Sequence, residues 1–381
     1  MKIVLAIDSF KGCATSKELS LWMTKAITSV YPEAHIHACE ISDGGEGLTE
    51  ALVSNTQGRM ITCNVHDPLM NPICATYGLL GDGKTCVIEM AQAAGLPLVP
   101  KEKRNPLVTT TYGVGELVKD ALNRGIRSFI IGIGGSATND AAVGMLQALG
   151  FRFLDASNKE LGYGGVILEQ IHHVDTTQVL PELRECSFKV ACDVDNVMYG
   201  THGSAHVYAA QKGADEAMIE RLDAGMKSFA TVIEAFCHHN VAILPGSGAA
   251  GGMGGGLMAF LGATLHSGID LVLDQLNFNH LIKDATMVIT GEGRIDRQSL
   301  MGKVICGIAK RTQKADVPLI ALAGGIADEL EEHPGVDALF SIAQHPLSLE
   351  EAMQKERTKL WVERSTQEIF RLMKTMQKRA L

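Results

Sequence analysis

Glycine-rich stretches that also carry acidic, hydroxyl and amide side chains are the part of this sequence best suited to chemistry. The stretch GIGGSATND, residues 132–140, follows an apolar run that predicts a buried strand, and a segment with helical spacing follows it. Gly134 and Gly135 permit a sharp turn, so backbone N–H groups at the helix start could face an anion. An isolated Gly-Gly-Ser would indicate only a capped turn. Similar stretches recur as SDGGEG (42–47), PGSGAAGGMGGG (245–256) and TGEGRID (290–296), and this recurrence favours binding.

Charged side chains beside these glycines have the composition that phosphoryl transfer requires. A magnesium ion needs hard oxygen ligands, phosphates need donors, and an accepting hydroxyl group needs a carboxylate within hydrogen-bond reach. The candidate acids are Asp8, Asp43, Glu46, Asp140, Asp193, Glu292 and Asp296, and the candidate cations are Lys11, Lys212, Arg294 and Lys303. Any one acid, taken alone, would more often cap a helix or lie in a solvated loop. Their recurrence at predicted strand ends favours a shared site.

Composition limits the classes of protein to which the chain could belong. A length of 381 residues with 46% hydrophobic residues predicts two domains with well-filled cores. The net charge of −9 argues against nucleic acid or an anionic membrane as the main partner. Nine cysteines without a C-x-x-C pair, and no signal-like or membrane-spanning apolar run, predict a reduced, soluble, cytoplasmic protein.

The order of predicted elements indicates an α/β fold. The first 58 residues alternate strand, helix, strand and helix, which predicts parallel strands whose carboxyl ends share one edge. The last third returns to the same rhythm, while the middle mixes hairpins and long loops. We therefore predict a doubly wound, mostly parallel, Rossmann- or flavodoxin-like sheet from residues 1–65 and 280–381. A mixed α/β domain, residues 66–279, would be inserted, with the site in the cleft between the two domains.

Two well-known nucleotide-binding motifs also occur, but the surrounding sequence argues against a binding role for either. GLLGDGKT (78–85) matches the P-loop pattern, but a short β-branched run follows the lysine, which favours a two-residue hairpin. Gly246, Gly248 and Gly251 form G-x-G-x-x-G, with Asp270 about twenty residues on, as in a dinucleotide site. Pro245 beside the first glycine and the excess of glycines argue against it. A dinucleotide-dependent oxidoreductase of a small hydroxy acid remains the alternative, and a non-enzymatic sensor of sugar-acid metabolites is a second one.

Taken together, the motifs resemble those of one family, the type I glycerate kinases, bacterial enzymes that phosphorylate glycerate with ATP. The resemblance runs nearly end to end through DSFKG, SDGGEG, IGIGGSATND, ACDVDN, QKGA, PGSGAAGGMG, SGIDLV and TGEGRIDRQSLMGKV. It implies two α/β domains, glycerate and a nucleotide as small-molecule partners, ATP and Mg²⁺ as cofactors, and 2-phosphoglycerate as the product. It also implies that the P-loop match is a hairpin. A homodimer is compatible with the sequence, which does not determine the oligomeric state.

Within this framework we assign residue roles as hypotheses. The catalytic candidates are Lys11, Asp193 and Asp296, and the two aspartates are also the candidate metal ligands. Lys212 is the weaker candidate, because its position at a helix start also suits a role that is only on the phosphate side or in capping. The candidates for binding substrate or phosphate are Asp8, Ser9, Asp43, Gly44, Gly45, Glu46, Gly134, Gly135, Ser136, Asn139, Asp140, Lys212, Gly291, Glu292, Arg294 and Lys303.

Overall fold

Parallel strands followed by helices make up most of the computed structural model, which describes all residues except 46, 297, 298, 300–302, 329, 331, 332 and 381. The strands are β1 Lys2–Ile7, β2 His35–Glu40, β3 Arg59–His66, β4 Pro72–Leu79, β5 Thr85–Glu89, β6 Ser128–Gly132, β7 Arg152–Leu154, β8 His173–Asp175, β9 Ser187–Ala191, β10 Thr264–His266, β11 Met287–Ile295, β12 Leu319–Ile326 and β13 Ala338–Ser341. The helices are α1 Ser16–Val30, α2 Leu48–Asn55, α3 Ala91–Ala94, α4 Tyr112–Asn123, α5 Val143–Ala148, α6 Ser204–Tyr208, α7 Glu216–Cys237, α8 Ala249–Leu261, α9 Gly268–Gln275, α10 Phe278–Leu281, α11 Val304–Ala315, α12 Leu349–Ala352 and α13 Lys355–Ala380.

The chain divides into two compact units, one of which contains both chain ends. The first unit comprises Met1–Asp43 and Ile269–Leu381, and the second unit comprises Gly44–Gly268. In the first unit the sheet order is β13-β12-β11-β1-β2, and every pairing in it is parallel. Its apolar core includes Ile3, Leu5 and Phe370. The predicted α/β class, with a parallel sheet built from both chain ends, is confirmed.

The second unit contains a mixed sheet of order β10-β9-β6-β5-β4-β3. Strands β5, β6, β9 and β10 pair in parallel, whereas β3, β4 and β5 pair in antiparallel fashion. Its boundaries differ from the predicted residues 66–279. Helix α2 lies in this unit because it packs against β4 and β5. Gly78 of β4 makes that contact possible, since a Cβ there would lie 2.5 Å from the Val53 side chain. The alternation of strands and helices led to the prediction that α2 belongs to the first domain. Such alternation does not indicate which sheet a helix packs against.

The P-loop expression lies in a β-hairpin, as predicted. Strands β4 and β5 are antiparallel on either side of it. The Asp82 carboxylate accepts hydrogen bonds from the backbone N–H groups of Lys84 (2.8 Å) and Thr85 (2.9 Å). The loop is longer than the predicted two residues, because the Leu80 N–H bonds to the Thr85 carbonyl oxygen and closes the hairpin around residues 81–84. Backbone donors in this loop serve the turn itself.

The G-x-G-x-x-G motif at residues 246–251 also lacks the structure that dinucleotide binding requires. A dinucleotide site requires a strand before the first glycine, whereas Val241–Ile243 form a turn of 3-10 helix. Gly251 and Gly252 lie inside α8 with φ values of +74° and +81°, where the helix is kinked. A Cβ on Gly248 would lie 1.9 Å from the Val197 carbonyl oxygen. Close backbone packing therefore accounts for these glycines. No helix in the described part of the chain is both long and apolar enough to span a bilayer.

We predict that Gly248→Ala destabilises the protein strongly, because the new methyl group overlaps the Val197 carbonyl oxygen while the backbone dihedrals at 248 suit alanine. The cost should be about 2 kcal/mol or more, which corresponds to a fall in melting temperature of about 4–8 °C for a unit of this size. Thermal melting followed by circular dichroism measures it. Gly162→Ala is the matched control, since Gly162 is exposed and a Cβ there meets no atom within 4 Å. Equal melting temperatures for the two variants would contradict the packing argument.

Candidate active site

The carboxyl ends of β1 and β11 lie side by side in the first unit and carry two of the predicted acids. Asp8 directly follows β1, and its backbone N–H donates to the Gly291 carbonyl oxygen of β11 at 2.9 Å. Glu292 is the next residue of β11. Strand β1 is central, with β2 on one side and β11 on the other, so the chain changes direction across the sheet at this pair. Open parallel sheets bind ligands at such a switch point.

A cavity of about 570 Å³ opens at this point, and it is lined entirely by residues of the first unit. The part of its wall around the carboxyl ends of β1 and β11 carries charged side chains and is called the polar end. The predicted site residues that line it are Asp8, Ser9, Lys11, Asp43, Glu292, Arg294, Asp296 and Lys303. Gly291 lies in the same strand, but a Cβ there would lie 2.0 Å from the Leu322 carbonyl oxygen, so the residue is needed for sheet packing. The structure thus brings together residues that are up to 295 positions apart in the sequence.

Burial of carboxylates dominates the electrostatics of the polar end. Burial, and then the neighbouring Asp43, raise the pKa of Asp8 to about 6 from an ordinary value of 3.8. Burial also raises the pKa of Glu292 to about 7, although a hydrogen bond from Ser299 lowers it. The Lys11 ammonium group lies 3.3 Å from an Asp43 carboxylate oxygen, but the lysine side chain is 71% exposed, which keeps this pair weak. Burial therefore disfavours the charged forms of both carboxyl groups, and a cation bound beside them would stabilise those forms.

One carboxylate oxygen in this cluster is unsatisfied. Among the described residues, Oε1 of Glu292 is buried and has no hydrogen-bond partner. Buried polar atoms in native proteins almost always have a partner in the chain, a water molecule or a ligand. The atom therefore indicates a place where a cation or a donor on a substrate would be stabilised. No group of three or more histidine, cysteine, aspartate or glutamate side chains suited to a metal ion occurs within the part of the chain that the structure describes.

The remaining predicted residues that the structure describes lie in the second unit, where two glycine motifs pack together. A Cβ on Gly44 would lie 2.5 Å from the Gly268 Cα, and one on Gly134 would lie 3.6 Å from the Gly45 Cα. Asp193 is exposed and accepts a hydrogen bond from the Gly268 N–H at 3.0 Å. Gly135 has a φ of +73° and makes the predicted sharp turn after β6. Glu46 lies outside the described residues.

The helix start after GGSATND differs from the prediction of an anion site. Asp140 is fully buried, and its carboxylate accepts hydrogen bonds from the Thr111 N–H (2.8 Å) and the Gly144 N–H (3.2 Å). The Val143 N–H donates to the Asp140 carbonyl oxygen, and the Met145 N–H donates to the Thr111 hydroxyl. The first N–H groups of α5 are therefore used within the chain. Sequence inspection could not find this, because the partner Thr111 lies 29 residues before Asp140.

Lys212 is fully buried beneath the same loop. Its ammonium group donates to the Ser136 hydroxyl at 2.8 Å and to the Thr138 carbonyl oxygen at 2.7 Å. Burial lowers the pKa of Lys212 to about 7, although Asp140 opposes that shift. The alternative capping role is wrong, because Asp215 caps α7 by accepting a hydrogen bond from the Met218 N–H. Asn139 is also buried, and its side-chain Oδ1 accepts a hydrogen bond from the Ser204 hydroxyl at 3.1 Å.

Comparison with known proteins agrees with this architecture. Residues 3–374 match the model of the glycerate kinase family. The glycerate 2-kinase of Escherichia coli K12 is 46% identical over 357 residues, which cover 93% of each chain. The glycerate kinase of Haemophilus influenzae Rd is 47% identical over 345 residues, covering 90% of this chain and 91% of the relative. A crystal structure of a provisionally assigned glycerate kinase 2 from Salmonella typhimurium LT2 superposes with a TM-score of 0.91 at 41% identity, covering 99% of each chain.

The fold, the carboxylate and lysine site and these relatives define an enzyme of the phosphotransferase class. Within that class, the chain belongs to the glycerate kinase family. The resemblance on which the motifs were interpreted is thereby confirmed.

We predict that Asp8→Asn makes the stability of the protein less dependent on pH. Because the folded-state pKa of Asp8 is raised, the folded state binds more protons than the unfolded state between about pH 4 and 6, so stability falls as the pH rises through that window. Asparagine removes this loss and keeps an acceptor for the Ser9 N–H. The difference in melting temperature, variant minus wild type, should therefore increase from pH 4 to pH 7. The increase should correspond to about 2 kcal/mol in the free energy of unfolding.

Thermal melts at closely spaced pH values provide the measurement. Glu33→Gln serves as the control, because it removes an exposed carboxylate outside the site. A constant difference in melting temperature between Asp8→Asn and wild type across this range would show that Asp8 does not carry the shift.

Proposed function

We propose that the protein transfers the terminal phosphoryl group of ATP to the 2-hydroxyl group of glycerate and releases 2-phosphoglycerate and ADP. Membership of the glycerate kinase family supports the reaction class, and the E. coli relative named glycerate 2-kinase supports the position of transfer. The observation that carries the proposal is the polar end of the cavity, where Asp8 and Glu292 meet Lys11 at the carboxyl ends of β1 and β11.

Magnesium fits the donor chemistry of this end. Mg²⁺ prefers carboxylate oxygens and commonly takes only one or two from the protein, with water and phosphate oxygens as its other ligands. Asp296, a ligand candidate from the sequence, and Asp8 both line the cavity and would hold it. When bound, the ion would neutralise charge on the transferred phosphoryl group. Asp193 as a ligand stays a prediction, as do the cleft between the domains, the homodimer and the cytoplasmic location.

Besides the magnesium ion, basic side chains at the polar end would supply positive charge. The three basic side chains that line the cavity are those of Lys11, Arg294 and Lys303, and each supplies one positive charge. Guanidinium and ammonium donors stabilise phosphate oxygens and the carboxylate of an acid substrate. Their proposed task is to bind and orient the two negatively charged substrates so that the hydroxyl group faces the phosphorus atom.

Among the carboxylates, Glu292 is the best candidate for the group that takes the proton from the substrate hydroxyl. A base works best when its pKa lies near the working pH, and burial gives Glu292 a pKa of about 7. Its unsatisfied Oε1 is an available acceptor. Asp296 and Asp193, predicted from the sequence as candidate bases, are the alternatives, and each is tested by the same kind of substitution.

We expect the purified protein to consume ATP when glycerate and Mg²⁺ are supplied, and phosphorus NMR should show 2-phosphoglycerate as the product. Tartronate is the comparison substrate, because it keeps the 2-hydroxyl group while changing the third carbon. A product phosphorylated at the 3-hydroxyl would overturn only the position of transfer. Absence of ATP consumption, with nicotinamide absorbance changing in the presence of small hydroxy acids, would favour the oxidoreductase.

Glu292→Gln should lower kcat by about 10²- to 10⁴-fold, the usual contribution of a general base. The wild-type rate should rise with pH through the pKa of Glu292, since the base must be deprotonated, and the variant should lose this rise. Asp296→Asn and Asp193→Asn, assayed in parallel, distinguish the alternatives. A near-normal kcat in Glu292→Gln together with a large loss in one aspartate variant would move the base to that aspartate.

A further inference from the structure

Among the residues that the structure describes, Lys212 is the one basic side chain that is almost completely buried, with 2% of its surface exposed. The backbone that carries it is fixed. Lys212 ends a turn of 3-10 helix, and its N–H donates to the Ala209 carbonyl oxygen. Gly213 follows with a φ of +95°, and a Cβ there would lie 2.3 Å from the Arg104 carbonyl oxygen. This packing leaves the lysine side chain no simple route to solvent.

The Lys212 ammonium group has acceptors in one loop but no direct counterion. It donates to the Ser136 hydroxyl and to the Thr138 carbonyl oxygen of the loop that follows β6. Burial disfavours its charged form and Asp140 favours that form, although the structure describes no hydrogen bond between Lys212 and Asp140. Because a buried charge without a direct partner is costly, groups in such surroundings often serve a function.

The chemistry of the donor determines what the Ser136 hydroxyl group can do. An ammonium group has three N–H donors and no acceptor, whereas a hydroxyl group has one hydrogen and can also accept. Ser136 must therefore accept from Lys212, at 2.8 Å, and its own hydrogen must point elsewhere. That hydrogen has no acceptor in the part of the chain that the structure describes. The Ser136 hydroxyl group is thus a donor whose direction Lys212 sets.

The loop holds Ser136 where a small ligand can reach it. Gly135, the preceding residue, is exposed and has a φ of +73°. The Leu96 N–H donates to the Gly135 carbonyl oxygen, and the Ala137 N–H donates to the Ala94 carbonyl oxygen, each at 2.9 Å. These two bonds fix the backbone on both sides of Ser136. The serine is 8% exposed, so it is not completely enclosed.

We propose that Lys212 is a positioning residue, which holds the Ser136 hydroxyl group as a donor and places positive charge behind it, so that Ser136 binds an oxyanion. Carboxylate and phosphate oxygens both fit, because both accept hydrogen bonds without donating. The inference rests on the proposed function for the presence of an acid and a nucleotide. It adds a buried residue that acts on a substrate only through Ser136.

Calorimetric titrations of four proteins test the proposal: the wild type, Ser136→Ala, Lys212→Met and the double variant. The ligands are glycerate and, separately, a non-hydrolysable ATP analogue. Each single substitution should weaken the binding of one of these ligands by about tenfold or more, the usual effect of losing a hydrogen bond to a charged group. The double variant should bind no more weakly than the weaker single variant, because both changes remove the same interaction. A response of glycerate identifies a carboxylate, and a response of the analogue identifies a phosphate.

Lys227→Met is the matched control, since Lys227 is an exposed lysine of α7 in the same unit. Methionine is an unbranched side chain that adapts to a buried site. Melting temperatures of all variants show whether each protein is folded. Wild-type affinity for both ligands in a folded Lys212→Met protein would overturn the proposal. Losses that add in the double variant would also overturn it, because Lys212 would then act independently of Ser136.

Neutron diffraction of the wild-type protein tests the hydrogen-bond direction without any substitution, and so it decides the matter even if Lys212→Met does not fold. In crystals grown below neutral pH, Lys212 should be an ammonium group with one deuteron toward Ser136 Oγ. The deuteron of the Ser136 hydroxyl group should point away from Lys212. A neutral amine that accepts the Ser136 deuteron would overturn the proposal.

These measurements do not depend on turnover, so they separate the inference from the proposed function. Coupled losses of ligand affinity in a protein without glycerate kinase activity would support the role of Lys212 and refute the proposed reaction. Glycerate phosphorylation by Lys212→Met with unchanged KM values for both substrates would support the reaction and refute that role.

Discussion

The parallel pairing of β1 with β11 is the interaction on which the first unit depends. It joins the beginning of the chain to a strand 284 residues later, with Ile7 opposite Gly291. The backbone bond from the Asp8 N–H to the Gly291 carbonyl oxygen extends that pairing to the point where β1 ends, while β11 continues to Ile295. Because parallel strands end at one edge of a sheet, the pairing places Asp8 and Glu292 in the same cavity.

The two units use buried polar groups in different ways. In the first unit, the carboxyl groups of Asp8 and Glu292 are buried within one cavity, and burial raises their pKa values toward neutrality. In the second unit, Lys212 and Asp140 are buried as well. The Lys212 ammonium group donates to the loop that follows β6, and Asp140 Oδ2 accepts from the neighbouring helix starts, while Asp140 Oδ1 has no hydrogen-bond partner among the described residues.

Much of the fold could be predicted from local patterns. The alternating strands and helices at each end of the chain, and the hairpin around Asp82, follow from apolar periodicity and turn chemistry, and the structure confirms both. The assignment of α2 to its sheet could not be predicted, because it depends on the space that Gly78 leaves. Polar and charged residues beside glycines at strand ends could be recognised in the sequence, and eight of the residues predicted in this way line one cavity. Trp361 and Met353 could not, since apolar residues of an amphipathic helix look alike whether they face a core or a cavity.

Because the first unit is built from both chain ends, the order of synthesis affects how it can form. Strand β1 is an interior strand of its sheet, yet its neighbour β11 leaves the ribosome only after the whole second unit has been made. Until then the nascent β1 has an open edge, and apolar residues such as Ile3 and Leu5 lack the core that the C-terminal third supplies. Unpaired strand edges of this kind are exposed to aggregation and to chaperones. Completing the sheet, and with it the cavity, is thus among the last events in the production of the molecule.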